Sequence, residues 1–406
     1  MDVLSPQANT VTSQLFSKYL ESQPLFSNRT ILSASFTPNR IPHREKQIAD
    51  LGRIVAPALK GGKPSNVFIY GRTGTGKTLV AKMVLDELER ASVQTSYKAK
   101  TFYINCKMKK VADTEYRVLS HLMSQFGKEV PFTGLPTDQL YSMFFKALDE
   151  EERTVILIVD EIDNLVERVG DEILYNITRA NHELKKSRLS IIGITNNLAF
   201  IENLDPRVRS SLGEEELVFA PYNAVQLQEI LKERAYIAFE VGAIADGVIE
   251  KCSALAAQEH GDARRALDLL RVAGELAERA GDRKIEIRHV DLAEERIDTD
   301  RVVEIVKAQP RQSQIVLWAI MKHIEGGRRE IETSEIIDLY RELCKASGLR
   351  ELTQRRVSDL IAELDMFGII SSRIVSHGRY GRTRVVSLPL SDSVHKRLKA
   401  ALSQYF

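Results

Sequence analysis

The segment from Val67 to Thr78, VFIYGRTGTGKT, contains the residues whose types and spacing most clearly indicate chemistry. An apolar run leads into GRTGTGKT, which fits the phosphate-binding pattern G-x-x-x-x-G-K-[ST]. In such a loop the backbone N–H groups surround anionic oxygens, the lysine reaches the β- and γ-phosphates, and the last hydroxyl can ligate Mg²⁺. A helix predicted from about Lys77 to Ala91 would point its N-terminus at the phosphates. The sequence therefore predicts a nucleotide site that includes Gly71, Thr73, Gly74, Thr75, Gly76, Lys77, Thr78 and Leu79.

Two carboxylates follow a second apolar run, residues 154–159, which is typical of a strand buried on both faces of a parallel sheet. Asp160 would hold the Mg²⁺ together with Thr78, and Glu161 would orient and polarise an attacking water. An acidic helix cap is the alternative reading of this pair. A third run, Leu189 to Ile194, is followed by Asn196, whose amide would point into the crevice where parallel sheets bind ligands.

The elements that must position these residues can be read from apolar periodicity. Strands near Val67–Tyr70, Thr101–Asn105, Thr154–Val159, Leu189–Thr195 and Glu216–Phe219 alternate with helices, which predicts an α/β core whose parallel sheet is sandwiched by helices. Helices at Ala224–Phe239, Ile244–Glu259, Ala263–Arg279 and Ile287–Glu295 predict a second, helical domain. The predicted boundaries give a loose N-terminus at 1–13, a core at 14–215, the helical domain at 216–295 and a third domain at 296–406.

The third domain has the pattern of a helix-turn-helix with a β-wing, as in winged-helix DNA-binding domains. Predicted helices at Ser313–His323, Thr333–Ala346 and Leu352–Phe367 precede predicted strands at Ile369–Val375 and Arg384–Leu388. Thr353, Arg355 and Arg356 open the helix that would meet base edges in the major groove. Arg379, Tyr380 and Arg382 would form the wing that contacts the backbone or the minor groove. A solvated basic hairpin in a protein-binding winged helix is the alternative.

These motifs together resemble the AAA+ ATPase core and its lid domain. The resemblance lies in the phosphate loop, the DEID run from Asp160 to Asp163, Asn196, and GDARRA from Gly261 to Ala266. It implies that Asn196 acts as sensor 1 and that Arg264, on the lid, acts as sensor 2. More narrowly, the chain resembles archaeal origin-recognition initiators, relatives of the eukaryotic origin-recognition complex. The stretches that carry this are Ile41–Glu45, Asn105–Cys106, Val130–Leu135, Asp205–Val208, Tyr222 and the winged-helix region, within residues 14 to 390.

The resemblance implies an ATP-dependent initiator with weak ATPase activity that acts mainly as a switch between ATP and ADP. It implies origin duplex DNA, other initiator subunits and the replicative helicase as partners, and Tyr222 as a further nucleotide contact. Alternatives are a DNA motor or clamp-loader-like ATPase, which would turn over rapidly, and an ATP-gated transcription regulator, which would bind promoters.

Two further site predictions rest on the resemblance. An insertion in the core would contact DNA, with Lys128 and Thr133 as candidates, although an ordinary helical insertion fits the same residues. Arg207 and Arg209 are candidates for an arginine finger directed at a neighbouring subunit's γ-phosphate. The chain has Ser211 after Ser210 where related eukaryotic subunits have arginine after serine, so which arginine acts stays open, and a structural salt bridge fits equally well.

Composition agrees with a globular chain of several domains. The 406 residues are 43% hydrophobic with a net charge of +1, and 406 residues predict two to three domains. Residues 373–399 contain seven basic side chains and one acidic one, which supports a nucleic-acid partner. Three separated cysteines suit a reducing cytoplasm. No apolar run reaches the about 18 residues of a membrane span, and the N-terminus lacks the features of a secretory signal, which predicts a cytoplasmic protein with no membrane partner. The resemblance to initiators implies that it is associated with the nucleoid.

Overall fold

The computed structural model shows a chain that divides into two compact units after Val290. The structure describes residues 24–34, 36–107, 112–131, 134–212, 214–376, 382–390, 392–403 and 405. Within these residues no helix combines the length and the apolar composition that crossing a bilayer requires.

The first unit is built on a five-stranded sheet whose neighbouring strands are all parallel. Its strands are β1 (Asn66–Gly71), β2 (Lys98–Asn105), β3 (Arg153–Asp160), β4 (Arg188–Thr195) and β5 (Glu214–Phe219), in the order β2-β3-β4-β1-β5. Asp160 pairs with Ile194 and Tyr70 with Thr195, so the carboxyl ends of β3, β4 and β1 lie side by side. The predicted parallel sheet is confirmed. Its last strand reaches Phe219, beyond the predicted core boundary at 215.

Helices cover both faces of this sheet, as the continuous burial of β1, β3 and β4 requires. Along β1, Val67 and Ile69 belong to the apolar core on one face, and Phe68 and Tyr70 belong to the core on the other. The helices of this core are α1 (Glu45–Val55), α2 (Lys77–Ser92), α3 (Glu115–Gln125), α4 (Thr137–Leu148), α5 (Ile162–Val169), α6 (Glu172–Arg179) and α7 (Pro206–Leu212). The predicted sandwich is confirmed.

The lid follows β5 and consists of α8 (Ala224–Ala238), α9 (Val248–Gln258) and α10 (Ala263–Ala280). The prediction that α9 starts at Ile244 is wrong, because Ile244 forms a β-bridge with Ile285 and Gly247 has a φ of 84°. The next helix, α11 (Ile287–Ala308), was predicted to end at Glu295 and instead continues through the predicted boundary at 295.

The second unit has the helices and the hairpin of a winged helix. Its elements are α12 (Arg311–Glu325), β6 (Ile331–Glu332), α13 (Thr333–Ala346), α14 (Gln354–Met366), β7 (Ser371–Ser376), β8 (Arg382–Ser387) and α15 (Asp392–Leu402). The strands form an antiparallel sheet in the order β6-β8-β7. Residues from α12, α13, α14 and the sheet share one apolar core. The predicted helices and hairpin are confirmed, whereas β6 and α15 were not predicted.

Candidate functional site

The phosphate loop connects the end of β1 to the start of α2. Gly74 and Gly76 have φ angles of 73° and 91°, which residues with a side chain rarely adopt. Thr75 is buried, and its hydroxyl donates to the Arg72 carbonyl at 2.8 Å. Helix α2 begins at Lys77, directly after this turn. The backbone therefore has the form that a phosphate-binding loop needs, with a helix N-terminus beside it.

Lys77 lies inside the loop and is almost fully buried. Its Nζ donates to the carbonyls of Gly71 and Arg72, at 2.7 and 2.8 Å, and to Oδ1 of Asn196 at 2.8 Å. Burial lowers the pKa of the Lys77 ammonium to about 8, and the nearby Asp160 carboxylate partly opposes this shift. Because a desolvated cation gains from an anionic neighbour, the loop is electrostatically suited to phosphate. The structure thus brings Lys77 and Asn196 together.

Asp160 ends β3 and faces the first turn of α2. Its Oδ2 accepts hydrogen bonds from the Thr78 hydroxyl at 2.9 Å and from the Tyr103 hydroxyl at 2.8 Å. A hydroxyl and a carboxylate are hard oxygen ligands, so the two predicted metal ligands are adjacent and fit Mg²⁺. Tyr103 was not predicted as a site residue. Burial raises the pKa of its phenol to about 12, which keeps it a hydrogen-bond donor at neutral pH.

Glu161 follows Asp160 in a left-handed backbone conformation, with φ 55° and ψ 49°. Such a conformation costs a residue with a side chain about 1–3 kcal/mol and is concentrated at functional sites. The Glu161 carboxylate accepts from Asn164 Nδ2 at 3.2 Å and lies 3.9 Å from Lys107 Nζ. The two adjacent carboxylates therefore contact different partners, and both line one cavity.

This cavity has a volume of about 520 Å³ and joins the predicted residues. Its polar lining includes Thr73, Gly74, Gly76, Lys77, Thr78, Asp160, Glu161, Asn196 and Arg264. Its apolar lining comes from the segment before α1, from α2, and from the lid with the connection that precedes it, and includes Phe36, Ile41, Leu79, Tyr222, Ile230 and Leu267. Polar groups for phosphates beside apolar walls for a base are what a nucleotide needs. The loop residues Gly71 and Thr75 are not part of this lining.

The lid contacts the phosphate loop at the start of α10. The Asp262 side chain accepts from the backbone N–H of Arg264 at 2.8 Å, and a Cβ added to Gly74 would overlap the Asp262 carboxylate. The Ala263 N–H donates to the Gly74 carbonyl at 3.3 Å. Arg264 is exposed and lines the cavity. Its positive charge also lowers the pKa of Lys77, by less than burial does. The predicted sensor-2 arginine is therefore close to the phosphate loop.

The winged helix presents Thr353, Arg355 and Arg356 at the start of α14. Thr353 caps the helix, because its hydroxyl accepts from the Arg356 N–H at 3.4 Å. The Arg356 guanidinium lies 3.3 Å from Glu363 and 3.9 Å from Asp359 on the same helix. Among the described residues Arg355 has no carboxylate within 4.0 Å, and its side chain is exposed. Arg379 and Tyr380, and the Arg382 side chain, lie outside the described residues.

The remaining predicted contacts lie apart from the cavity. Lys128 Nζ forms an ion pair with Glu150 at 2.7 Å, and Thr133 is outside the described residues. Arg207 is largely exposed and pairs with Asp205 at 3.1 Å, whereas Arg209 is exposed. Arg207 thus forms a salt bridge with its near neighbour Asp205, and the role of either arginine as a finger stays a prediction.

Family models match three successive regions of the chain. A model described as "AAA domain" matches residues 61–199, "Cdc6 AAA+ ATPase-type lid domain" matches 228–295, and "CDC6, C terminal winged helix domain" matches 304–396. These regions fall on the sheet and its helices, on the lid, and on the second unit.

Curated relatives and a solved structure are similar over almost the whole chain. An ORC1-type DNA replication protein of Pyrococcus horikoshii is 51% identical over 92% of this chain and 90% of its own length. One of Thermococcus kodakarensis is 49% identical over 95% of this chain and 93% of its own. The structure of the Aeropyrum pernix ORC1 protein in complex with DNA is 47% identical, covers 94% of this chain and 97% of that chain, and has a TM-score of 0.80.

Proposed function

The chain belongs to the family of ORC1-type DNA replication proteins, and from this premise we propose that it is an ATP-dependent replication initiator. It binds origin duplex DNA, changes state between ATP and ADP, and helps to recruit or load the replicative helicase. The observation that carries the proposal is the extent of the likeness, which includes the core, the lid and the winged helix in one chain. Other initiator subunits on the same DNA are its proposed neighbours.

The proposed nucleotide chemistry follows from the contacts of the cavity. The phosphate loop binds the phosphates through its N–H groups, and Lys77 turns its charge from carbonyls towards them. To Asn196, which accepts from Lys77 and lines the cavity, we assign the contact with the γ-phosphate. Glu161 polarises the attacking water, since its carboxylate lines the cavity and makes no capping hydrogen bond to the helix that follows it. Hydrolysis is slow and serves as a switch.

Thr78 and Asp160 would hold Mg²⁺ in this site, because their oxygens are adjacent and face the cavity. When bound, the ion would neutralise charge on the β- and γ-phosphate oxygens. Tyr103 keeps the Asp160 carboxylate oriented through its hydrogen bond to Oδ2.

The proposed sensor role of Arg264 gives a testable result. Arg264→Ala should weaken the coupling between nucleotide state and lid angle while the fold is kept, because it removes a cavity-lining charge and leaves the Asp262 cap intact. Small-angle scattering of the ATP and ADP forms measures that coupling. Arg279→Ala is the matched control, since Arg279 lies on the same helix and is mostly exposed. If the parent and Arg264→Ala respond alike to the two nucleotides, the role belongs to another residue, with Arg265 the next to test.

The winged helix should separate DNA affinity from DNA specificity. Removing Arg379 and Arg382 together should weaken all duplexes similarly and reduce the log–log salt slope by roughly two, because wing arginines neutralise phosphates. Removing Arg355 and Arg356 should weaken the free energy of binding to the cognate site by about 1–3 kcal/mol, because a guanine contact is lost, and should weaken binding to random DNA by less. Of these two, Arg355 should contribute more, since carboxylates of its own helix already pair with Arg356.

A salt titration of both double variants on cognate and scrambled duplexes checks this division. Single replacements of Arg355 and Arg356 then assign the base contact. An unchanged salt slope for the wing variant, or equal losses on both duplexes for the helix variant, would contradict it.

The proposal as a whole is tested by selection from fragmented genomic DNA with the purified chain. Fragments retained in ATP are sequenced and compared with those retained in ADP. Enrichment of one or a few replication starts supports an initiator, whereas enrichment of many promoters, or of no sequence, contradicts it.

A further inference from the structure

Arg44 lies directly before α1, and its side chain is buried although none of the contacts above uses it. Only 4% of the residue is exposed. Within the described residues no carboxylate lies within 4.0 Å of its guanidinium, whereas buried arginines are normally paired with one. The partners that replace a carboxylate therefore indicate what Arg44 does.

These partners are two carbonyls and two aromatic rings. Nε donates to the Thr75 carbonyl at 2.9 Å, and Nη2 donates to the Ala220 carbonyl at 2.6 Å. The guanidinium carbon lies 4.0 Å from the centre of the Tyr222 ring and 5.4 Å from that of Phe219. The planar guanidinium, with donors in several fixed directions and a face that stacks on rings, satisfies all of these contacts at once.

The Thr75 carbonyl belongs to the peptide unit that joins Thr75 to Gly76. In a planar trans peptide the C=O and the N–H point in opposite directions. Holding the carbonyl on the side of Arg44 therefore directs the Gly76 N–H to the other side of the loop. Gly76 lines the cavity and Arg44 does not, so that other side is the one that phosphate would occupy.

The second carbonyl ties the same guanidinium to the connection between sheet and lid. Ala220 follows β5 directly, and Tyr222 lies two residues before the start of α8. The Tyr222 N–H donates to the Gly261 carbonyl at 3.3 Å, next to the start of α10. A Cβ added to Gly76 would lie 3.2 Å from the Tyr222 hydroxyl, so the ring also packs against the loop.

We infer that Arg44 is a positioning residue. It holds the Thr75–Gly76 peptide from the side of the loop that faces away from the nucleotide phosphates, so that the Gly76 N–H points towards the phosphates. The inference rests on the proposed nucleotide binding. It assigns to Arg44 the phosphate part of the affinity, because its hydrogen bond to the loop is made to the Thr75 carbonyl. The guanidinium contacts the cavity-lining Tyr222 through the face of the ring, and an apolar side chain at position 44 can still pack there.

The test compares ADP with adenosine, which lacks phosphates, on the full chain. Arg44→Met removes the hydrogen-bond donors and keeps a side chain of similar length. Arg44→Lys keeps the positive charge, on a single donor nitrogen in place of three. Arg53→Met is the control, because Arg53 is mostly exposed and, within the part of the chain that the structure describes, its ion pair is with Asp50 of its own helix. Calorimetry or competition against a fluorescent nucleotide gives both affinities. Circular dichroism shows that each variant is folded.

Arg44→Met should weaken ADP binding by about ten- to a hundredfold, the value of a charge-assisted hydrogen bond, and leave adenosine binding within about twofold. Arg44→Lys should lose less affinity for ADP than Arg44→Met, and Arg53→Met should bind ADP as the parent does. Provided that the parent binds ADP, equal losses of affinity for ADP and adenosine in Arg44→Met, or no loss of affinity for ADP, would overturn the inference. If the parent fails to bind ADP, the proposed function fails with it. If Arg44→Met does not fold, the comparison of ADP affinity with adenosine affinity in Arg44→Lys decides.

Discussion

Lys77→Ala should lower ATP affinity at least about a hundredfold, which corresponds to about 2.7 kcal/mol and abolishes binding at ordinary concentrations. The change deletes the one cation that donates to both loop carbonyls and to Asn196, inside a site where desolvation strengthens its attraction for phosphate. The measurement is the dissociation constant for a fluorescent ATP analogue in the presence of Mg²⁺.

Lys46→Ala is the matched control, since Lys46 is an exposed lysine of α1 and does not line the cavity. It should bind ATP as the parent does. Far-UV circular dichroism of Lys77→Ala should match the parent, because the loss concerns the ligand and not the sheet. Parent-like ATP affinity in Lys77→Ala would refute the assignment of the phosphate loop.

Glu161→Gln should bind ATP like the parent and hydrolyse it about 10²–10⁴-fold more slowly, the usual contribution of a positioned general base. Glutamine keeps the size of the side chain and removes only the charge that polarises water. The left-handed backbone at this position is unchanged in the variant, so the geometry of the neighbouring Asp160 should persist. Single-turnover hydrolysis and equilibrium ATP binding, measured on the same preparation, separate the two effects.

Glu167→Gln provides the comparison, because Glu167 is an exposed carboxylate on the same helix, α5. It should hydrolyse ATP at the parent rate. Hydrolysis at the parent rate in Glu161→Gln as well would show that another group activates the water.

The nucleotide site was largely predictable because its signals are local. The glycine spacing before Lys77, and the carboxylates and the amide at the ends of apolar runs, each lie within about ten residues of chain. Parallel strands bring such ends to one edge of the sheet whatever their order. The structure places these residues around one cavity, while their roles in binding and hydrolysis stay predictions.

Tyr103 and Arg44 could not be assigned from the sequence in the same way. The contact of Tyr103 with Asp160 depends on β2 lying beside β3, which is decided by the packing of the whole sheet. The alternation that puts Tyr103 and Asn105 on one face of β2 was the available signal. Arg44 reaches Ala220 across 176 residues of chain, and no periodicity anticipates such a contact.

The errors at element boundaries have local physical causes. Between Ile287 and Ala308 the sequence contains neither glycine nor proline, so the longer helix was readable there. β6 has two residues and takes its place only by pairing with β8, which no short pattern can indicate. The core boundary at 215 was placed too early, because the strand that was predicted at Glu216–Phe219 begins at Glu214 and belongs to the core sheet through its pairing with β1.

Genome-wide footprinting in cells of the source organism, with the parent and the Lys77→Ala variant, shows whether this chain marks replication starts in an ATP-dependent manner. In the parent, protected sites should cluster at one or a few replication starts, and in Lys77→Ala this protection should be reduced. Protection spread over promoters, or clusters that persist unchanged in Lys77→Ala, would contradict it.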